Sequence, residues 1–238
     1  MKRIKPPFFE FGAKTYLWGD KLLALAIEAD KLSERYGVDI IFTVQFSDIE
    51  RIRHNTDHIH VFAQHIDAAP VGIGMGNALP EALVDCGASG VMLNHEERPL
   101  SLSILHKTIV RANGLGMNTI VCAGNLEEGM AAACLQPDVV LVECPTLIGG
   151  GRRTKDELAQ IPHMNLQIKA IAPQVMVMHA AGIRNAKDVF DIIRAGADGT
   201  GSTTGIINAT NPYTMIEEMV ASVKAAWDER NGGQDGIL

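Results

Sequence analysis

Aromatic residues make up only 5% of this 238-residue chain, and its four cysteines, Cys86, Cys122, Cys134 and Cys144, include no Cys-x-x-Cys pair. With Ala, Ile, Val and Gly plentiful, the first scarcity favours small β-branched strands covered by Ala-rich helices over an all-β core. The cysteine spacing supports neither a disulfide framework nor a metal site, so reduced thiols and a cytoplasmic location are expected. No stretch is long and apolar enough to span a bilayer. The basic start Met1-Lys2-Arg3-Ile4-Lys5-Pro6-Pro7 leads into an apolar segment broken by Glu10 and Lys14, too short for an export signal. Basic clusters are lacking too: Lys and Arg are scattered and the net charge is -7, which argues against nucleic acid or an anionic membrane as partner and for a small molecule. Neither a linker nor a low-complexity segment divides the chain, so residues 1–238 are expected to form one domain.

What the chain has is a repeating pattern. Short β-branched or continuously apolar runs occupy Phe8 to Phe11, Val38 to Val44, Ile59 to Gln64, Gly90 to Leu93, Thr119 to Cys122, Val139 to Val142 and Val175 to Met178, with a weaker one around Gly199. Each is followed by a stretch of helical periodicity, the mark of repeated βα units. About eight units of this kind in a chain of typical length predict an α/β fold, a (β/α)8 barrel. A doubly wound open sheet is the alternative, but Gly12-Ala13-Lys14 after the first run is no dinucleotide fingerprint, and Gly72-Ile73-Gly74-Met75-Gly76 matches one only in its first half.

Helix starts are signalled by Ser47-Asp48-Ile49-Glu50, Asn125-Leu126-Glu127-Glu128 and Thr154-Lys155-Asp156-Glu157, each a capping box or its Asn analogue, and by Asn211-Pro212. The last helix carries Met215, Met219, Val220, Val223 and Trp227 as an apolar stripe and is expected to fray at Asn231-Gly232-Gly233.

A parallel barrel keeps its chemistry at the carboxyl ends of its strands. Those ends hold Lys14, Gln64, His65, Asp67, Asn94, His95, Glu143, His179 and the loop from Gly201 to Gly205. Each has a plain structural alternative: Lys14 a solvated loop residue, His95 a satisfied core histidine, Glu143 half of an ion pair. Taken together, a cation, an imidazole and a carboxylate around one mouth are the equipment for moving a proton next to a carbonyl. The chain therefore reads as an enzyme.

Lys14-Thr15-Tyr16, Phe62-Ala63-Gln64-His65-Ile66-Asp67, Leu79-Pro80-Glu81-Ala82, Leu93-Asn94-His95, Val142-Glu143-Cys144-Pro145 with Leu147-Ile148-Gly149, and Ala181-Gly182-Ile183 stand in the order in which the triosephosphate isomerase family carries such blocks. Over nearly its full length the chain resembles that family, and most closely its compact archaeal-type branch. The resemblance implies a cofactor-free aldose-ketose isomerase acting on a short phosphorylated sugar, with dihydroxyacetone phosphate and glyceraldehyde 3-phosphate as the leading pair. It implies Glu143 as the base, His95 as a neutral polarising imidazole and Lys14 as the cation beside the developing oxyanion. It also implies a closing lid over Thr146 to Gly151 that includes Gly149, and substrate contacts from Gly12, Gly182, Ser202, Thr203 and Gly205. A homodimer or homotetramer is expected, because the loop from Gly72 to Leu79 resembles the segment that reaches into a partner subunit.

The chain departs from the family at three places. Gly12 replaces an Asn, Met75 replaces a Thr, and Glu96 replaces the Ser after the histidine, adding a carboxylate that would raise the proton affinity of Glu143 if the two lie close. These changes point to a different sugar phosphate, such as a tetrulose phosphate, or to a barrel that binds a phosphometabolite without turnover. His58-Ile59-His60 has metal-like spacing but lies at the amino end of its strand and reads as structural; Cys144 reads as packing, and Arg152 and Arg153 as solvating a helix start.

Overall fold

A computed structural model describes residues 1–148 and 151–232. Eight strands, β1 (Phe8–Gly12), β2 (Asp39–Val44), β3 (His60–Ala63), β4 (Gly90–Leu93), β5 (Asn118–Ala123), β6 (Val139–Val142), β7 (Met176–His179) and β8 (Gly199–Gly201), close in sequence order into a barrel. Every pairing is parallel, and the barrel closes where Phe8 pairs with Gly199 and Glu10 with Gly201. The apolar runs of the sequence fall on these strands to within about two residues, because a strand covered on both faces cannot afford polar alternation. Helices α1 (Gly19–Tyr36), α2 (Ile49–Arg53), α3 (Pro80–Asp85), α4 (Leu102–Gly114), α5 (Leu126–Ala133), α6 (Lys155–Ala159), α7 (Ile161–Ile171), α8 (Ala186–Arg194), α9 (Thr204–Ile207) and α10 (Pro212–Gly232) occupy the connections and the carboxyl end.

Large and small residues interdigitate inside the barrel. A Cβ at Gly199 would lie 2.3 Å from the Phe8 ring and one at Gly90 would lie 2.2 Å from the Phe62 ring, so each glycine makes room for an aromatic side chain across from it. On the outer face Phe11 and Phe42 pack with ring centroids 5.0 Å apart. Ile216, Met219, Val220 and Val223 of α10 are fully buried, while Met215 and Trp227 pack at the edge of the same core.

The capping signals divide. Thr154 forms a complete capping box with Glu157, and the Asn125 side chain accepts the Glu128 N–H. Ser47 caps nothing: Phe46–Asp48 forms a 3-10 turn, and Asp48 instead accepts the Gly19 N–H at 3.0 Å, tying this loop to the start of α1. A tertiary hydrogen bond has displaced the local one. The last helix extends through Gly232, past the expected fray at Asn231, while Gly233 lies outside the described residues; Arg230 donates to Ile193 O and Ala197 O and stacks 4.3 Å over Trp227.

The amino ends of the strands are closed by satisfied charges. Burial alone would raise Asp39, but His60, the Lys2 ammonium and the Lys5 N–H hold it down to about 2. His58 pairs with Asp30 and His60 with Asp39, so the two histidines serve separate carboxylates.

Candidate active site

At the opposite pole a cavity of about 370 Å³ opens among the carboxyl ends of the strands. That lies at the small end of the range for ligand pockets, about 300–1,000 Å³. Chain turns after β1, β4 and β6 deliver its principal groups. After β1 the backbone enters the left-handed region at Lys14 (φ 46), a strained conformation for lysine that is held because Gln45 and Gln64 both donate to Lys14 O, at 3.0 and 2.9 Å. The ammonium points to Glu97 Oε1 at 2.9 Å.

After β4, Asn94 (φ 58) is pinned by its own amide, which donates to Cys122 O and accepts the Leu100 N–H. This fixes His95. Its Nδ1 accepts the Glu97 N–H at 3.1 Å, so a neutral ring carries its proton on Nε2, and Nε2 stands 3.5 Å from Glu143 Oε1. Burial, reinforced by Lys14 and opposed by Glu97, lowers the imidazole from its ordinary value. Glu143 follows β6, with its N–H on Ala123 O and its side chain buried. Burial pushes its carboxyl up to about 7; Lys14 opposes this and Glu97 adds to it. An imidazole made less basic beside a carboxyl raised to about 7 disfavours the imidazolium–carboxylate form, so the contact is not a plain structural ion pair.

The far wall comes from β7 and β8. Ala181 (φ 66) and Gly182 (φ 71) form a left-handed turn lining the cavity, and a side chain on Gly182 would press within 3.0 Å of the Arg153 backbone. Ser202 and Thr203 also line it. Ser202 is largely spent on scaffolding, its N–H on Glu10 O and its hydroxyl on Ile183 O, and the Thr203 hydroxyl donates to Gly12 O at 2.8 Å. Gly205 sits behind the wall rather than on it, where a Cβ would meet Ser202 Oγ at 2.6 Å and Ile183 O at 2.7 Å. Leu147, Ile148 and Gly151 of the Gly-rich segment border the opening; Gly149 and Gly150 lie outside the described residues.

Several sequence candidates stand elsewhere. His179 is fully buried with Nε2 on Asn165 Oδ1, Asp67 binds the Ala78 N–H and contacts His65, and Asn94 serves the loop. Glu96 lines a separate hollow on the other side of Glu143 and is the weakest of the charges acting on that carboxyl. Arg153 is not a solvated helix-start residue: it is half-buried and donates to Ala180 O at 2.6 Å, because the chain after the Gly-rich segment runs back against the end of β7. The second carboxyl that the sequence did not assign is Glu10, 6% exposed, lining the same cavity as Lys14, His95 and Glu143. Its signal was an acid in the middle of Phe8-Phe9-Glu10-Phe11-Gly12, where the strand's alternation puts it on the face of Gly12.

Such a pole, on a closed eight-stranded parallel barrel, defines a (β/α)8-barrel enzyme equipped for proton transfer beside an oxyanion. The triosephosphate isomerase family model matches residues 13–219. Triosephosphate isomerase of Methanobacterium bryantii is 37% identical over 94% of this chain and all of its own, and that of Sulfurisphaera tokodaii is 32% identical over 95% of this chain and all of its own. A crystal structure of triosephosphate isomerase from Bartonella henselae superposes with a TM-score of 0.71 at 16% identity, covering 93% of this chain and all of that one, and so shares the fold. The chain belongs to the triosephosphate isomerase family and is an isomerase of that type.

Proposed function

We propose that the chain interconverts a short ketose phosphate and the matching aldose phosphate through an enediolate, with the three-carbon pair dihydroxyacetone phosphate and glyceraldehyde 3-phosphate as the reference substrates. The carrying observation is that His95 Nδ1 accepts the Glu97 N–H, which leaves a neutral ring its proton on Nε2, 3.5 Å from Glu143 in the cavity the two share. In its ionised form Glu143 takes the proton from the carbon beside the carbonyl and returns it to the neighbouring carbon. His95 donates Nε2–H to the oxygen on which charge develops, and Lys14 faces the same oxygen with its ammonium. In a site from which water is excluded, that cation stabilises the enediolate far more than it would in water.

The ester phosphate is assigned to the wall of Gly182 and Thr203, where the left-handed turn of Ala181 and Gly182 borders the cavity. Leu147, Ile148 and Gly151 border the mouth, and the Gly-rich segment between them is read as the lid. Four unpaired cysteines suit a reducing compartment such as the cytoplasm. Among the described residues no helix is long and apolar enough to cross a membrane.

Replacing the base tests the reading directly. Glu143→Gln is expected to lower kcat about 10²- to 10⁴-fold and to abolish exchange of solvent deuterium into the carbon-bound position while the fold persists. Full exchange in that variant would reject Glu143 as the base.

A further inference from the structure

Glu10 and Thr43 are neighbours on β1 and β2, Thr43 being in register with Gly12, one step along the same strand face from Glu10. Both are buried, both line the active-site cavity, and neither Glu10 Oε1 nor Thr43 Oγ1 completes a hydrogen bond of sound geometry with another protein group. Around them the polar groups are engaged: Gln45 and Gln64 hold Lys14 O, Thr203 holds Gly12 O, and Ser202 holds Ile183 O. A buried acid and a buried hydroxyl with no partner beyond each other leave hydrogen-bonding capacity unfilled, which costs stability and suits a site where a ligand completes it.

Gly12 opens the pair to the cavity. A Cβ there would lie 3.2 Å from Glu10 Oε1 and 3.3 Å from Thr203 Oγ1, so a longer side chain at this position would cover the carboxyl. Burial raises the Glu10 carboxyl to about 7, with Thr43 and Lys14 opposing and the Glu143 charge adding to it. The environment that Glu143 and Glu10 share repels a second anion, which excludes the ester phosphate from this corner. An alcohol fits, since one hydroxyl can donate to Glu10 Oε1 and accept from the Thr43 O–H at once.

A three-carbon ketose phosphate offers only a phosphate, a carbonyl and one hydroxyl. The wall of β7 and β8, His95 and Lys14 already receive these in the reading above, on which this inference rests. We propose that Glu10 and Thr43 form an alcohol-binding subsite that selects a ketose phosphate bearing at least one hydroxyl more than the three-carbon sugar.

The measurement is the ratio of kcat/KM for a four-carbon ketose phosphate, both enantiomers, to that for dihydroxyacetone phosphate. The purified protein is compared with Glu10→Leu, Thr43→Val and Glu10→Gln. Leu and Val approximate the shapes they replace and remove buried polar atoms, so the folds should survive, and circular dichroism and melting verify this. The parent is expected to prefer one four-carbon enantiomer. Glu10→Leu and Thr43→Val should each lower the ratio by about tenfold or more, with partial recovery in Glu10→Gln, which keeps an acceptor oxygen. A parent that prefers dihydroxyacetone phosphate, or a ratio unmoved in both folded apolar variants, overturns the subsite while leaving the isomerase reading intact. If no sugar phosphate is turned over, the isomerase reading fails, and calorimetric binding decides the subsite. Tighter binding of the four-carbon ester that Thr43→Val abolishes supports it, and equal binding of both esters overturns it.

Discussion

Before Glu143 can accept a proton from carbon it must lose its own, and burial makes that loss easy only near neutrality. The sign follows: below a pH of about 7 the carboxyl is mostly protonated and cannot act as base, above it the carboxylate is available. His95 is lowered from its ordinary value by burial and Lys14, which favours the neutral ring that keeps Nε2–H to donate. The kcat/KM profile is therefore expected to rise about tenfold per pH unit on its acid limb and to level off near neutrality. Because Glu10 also titrates near 7 and feels the charge on Glu143, the limb belongs to the pair. A flat profile between pH 5 and 8, in stopped assays with buffer controls, would contradict the raised carboxyl. At this scale Lys14, His95 and Glu143 were legible in the sequence, since each stands directly after an apolar run. Glu10 was not assigned: a charge inside a strand has no meaning until the strand's inner face is seen to open on a cavity. Glu96 was overvalued for the converse reason, because adjacency in sequence to His95 does not decide which side of Glu143 a side chain takes.

At the level of elements, the strand positions followed from continuous apolar runs, and the caps at Asn125 and Thr154 from local chemistry alone. Ser47 failed as a cap because Asp48, beside it, is drawn to the start of α1, a partner far away in sequence. Local rules hold where no tertiary hydrogen bond competes. Glycine in a strand is the other case. Gly90 carries no positive φ and so does not serve a turn; it sits under the Phe62 ring, where a methyl group would lie 2.2 Å from ring carbon. Gly90→Ala is expected to destabilise the barrel by about 1–3 kcal/mol through forced displacement of that ring, read as a lower midpoint in urea denaturation. An unchanged midpoint would show that the interior yields freely at this layer.

For the whole molecule, the loop between β3 and α3 stands out by its exposed apolar tip. Val71 is 68% exposed, and Ile73 and Met75 are essentially as exposed as in an unfolded chain, at 99% and 104%. Large apolar side chains so placed mark a surface made for a partner, which supports the expected homodimer or homotetramer. Ile73→Asp should move the mass in light scattering toward that of one chain, about 25.7 kDa, with the fold retained; an unshifted oligomer would place the contact elsewhere. The sequence by itself determined the architecture and placed the candidates Lys14, His95 and Glu143 at one pole, because apolar runs at regular spacing admit few closed solutions and such groups follow each run's carboxyl end. Only the tertiary structure decided what shares the cavity. It put Glu10 and Thr43 within it and Glu96 and His179 outside it, and it turned Arg153 onto Ala180 O at the end of β7. The physical reason is that proton affinity and hydrogen-bond completion depend on distance and burial, and both are set by contacts between strands remote in the chain.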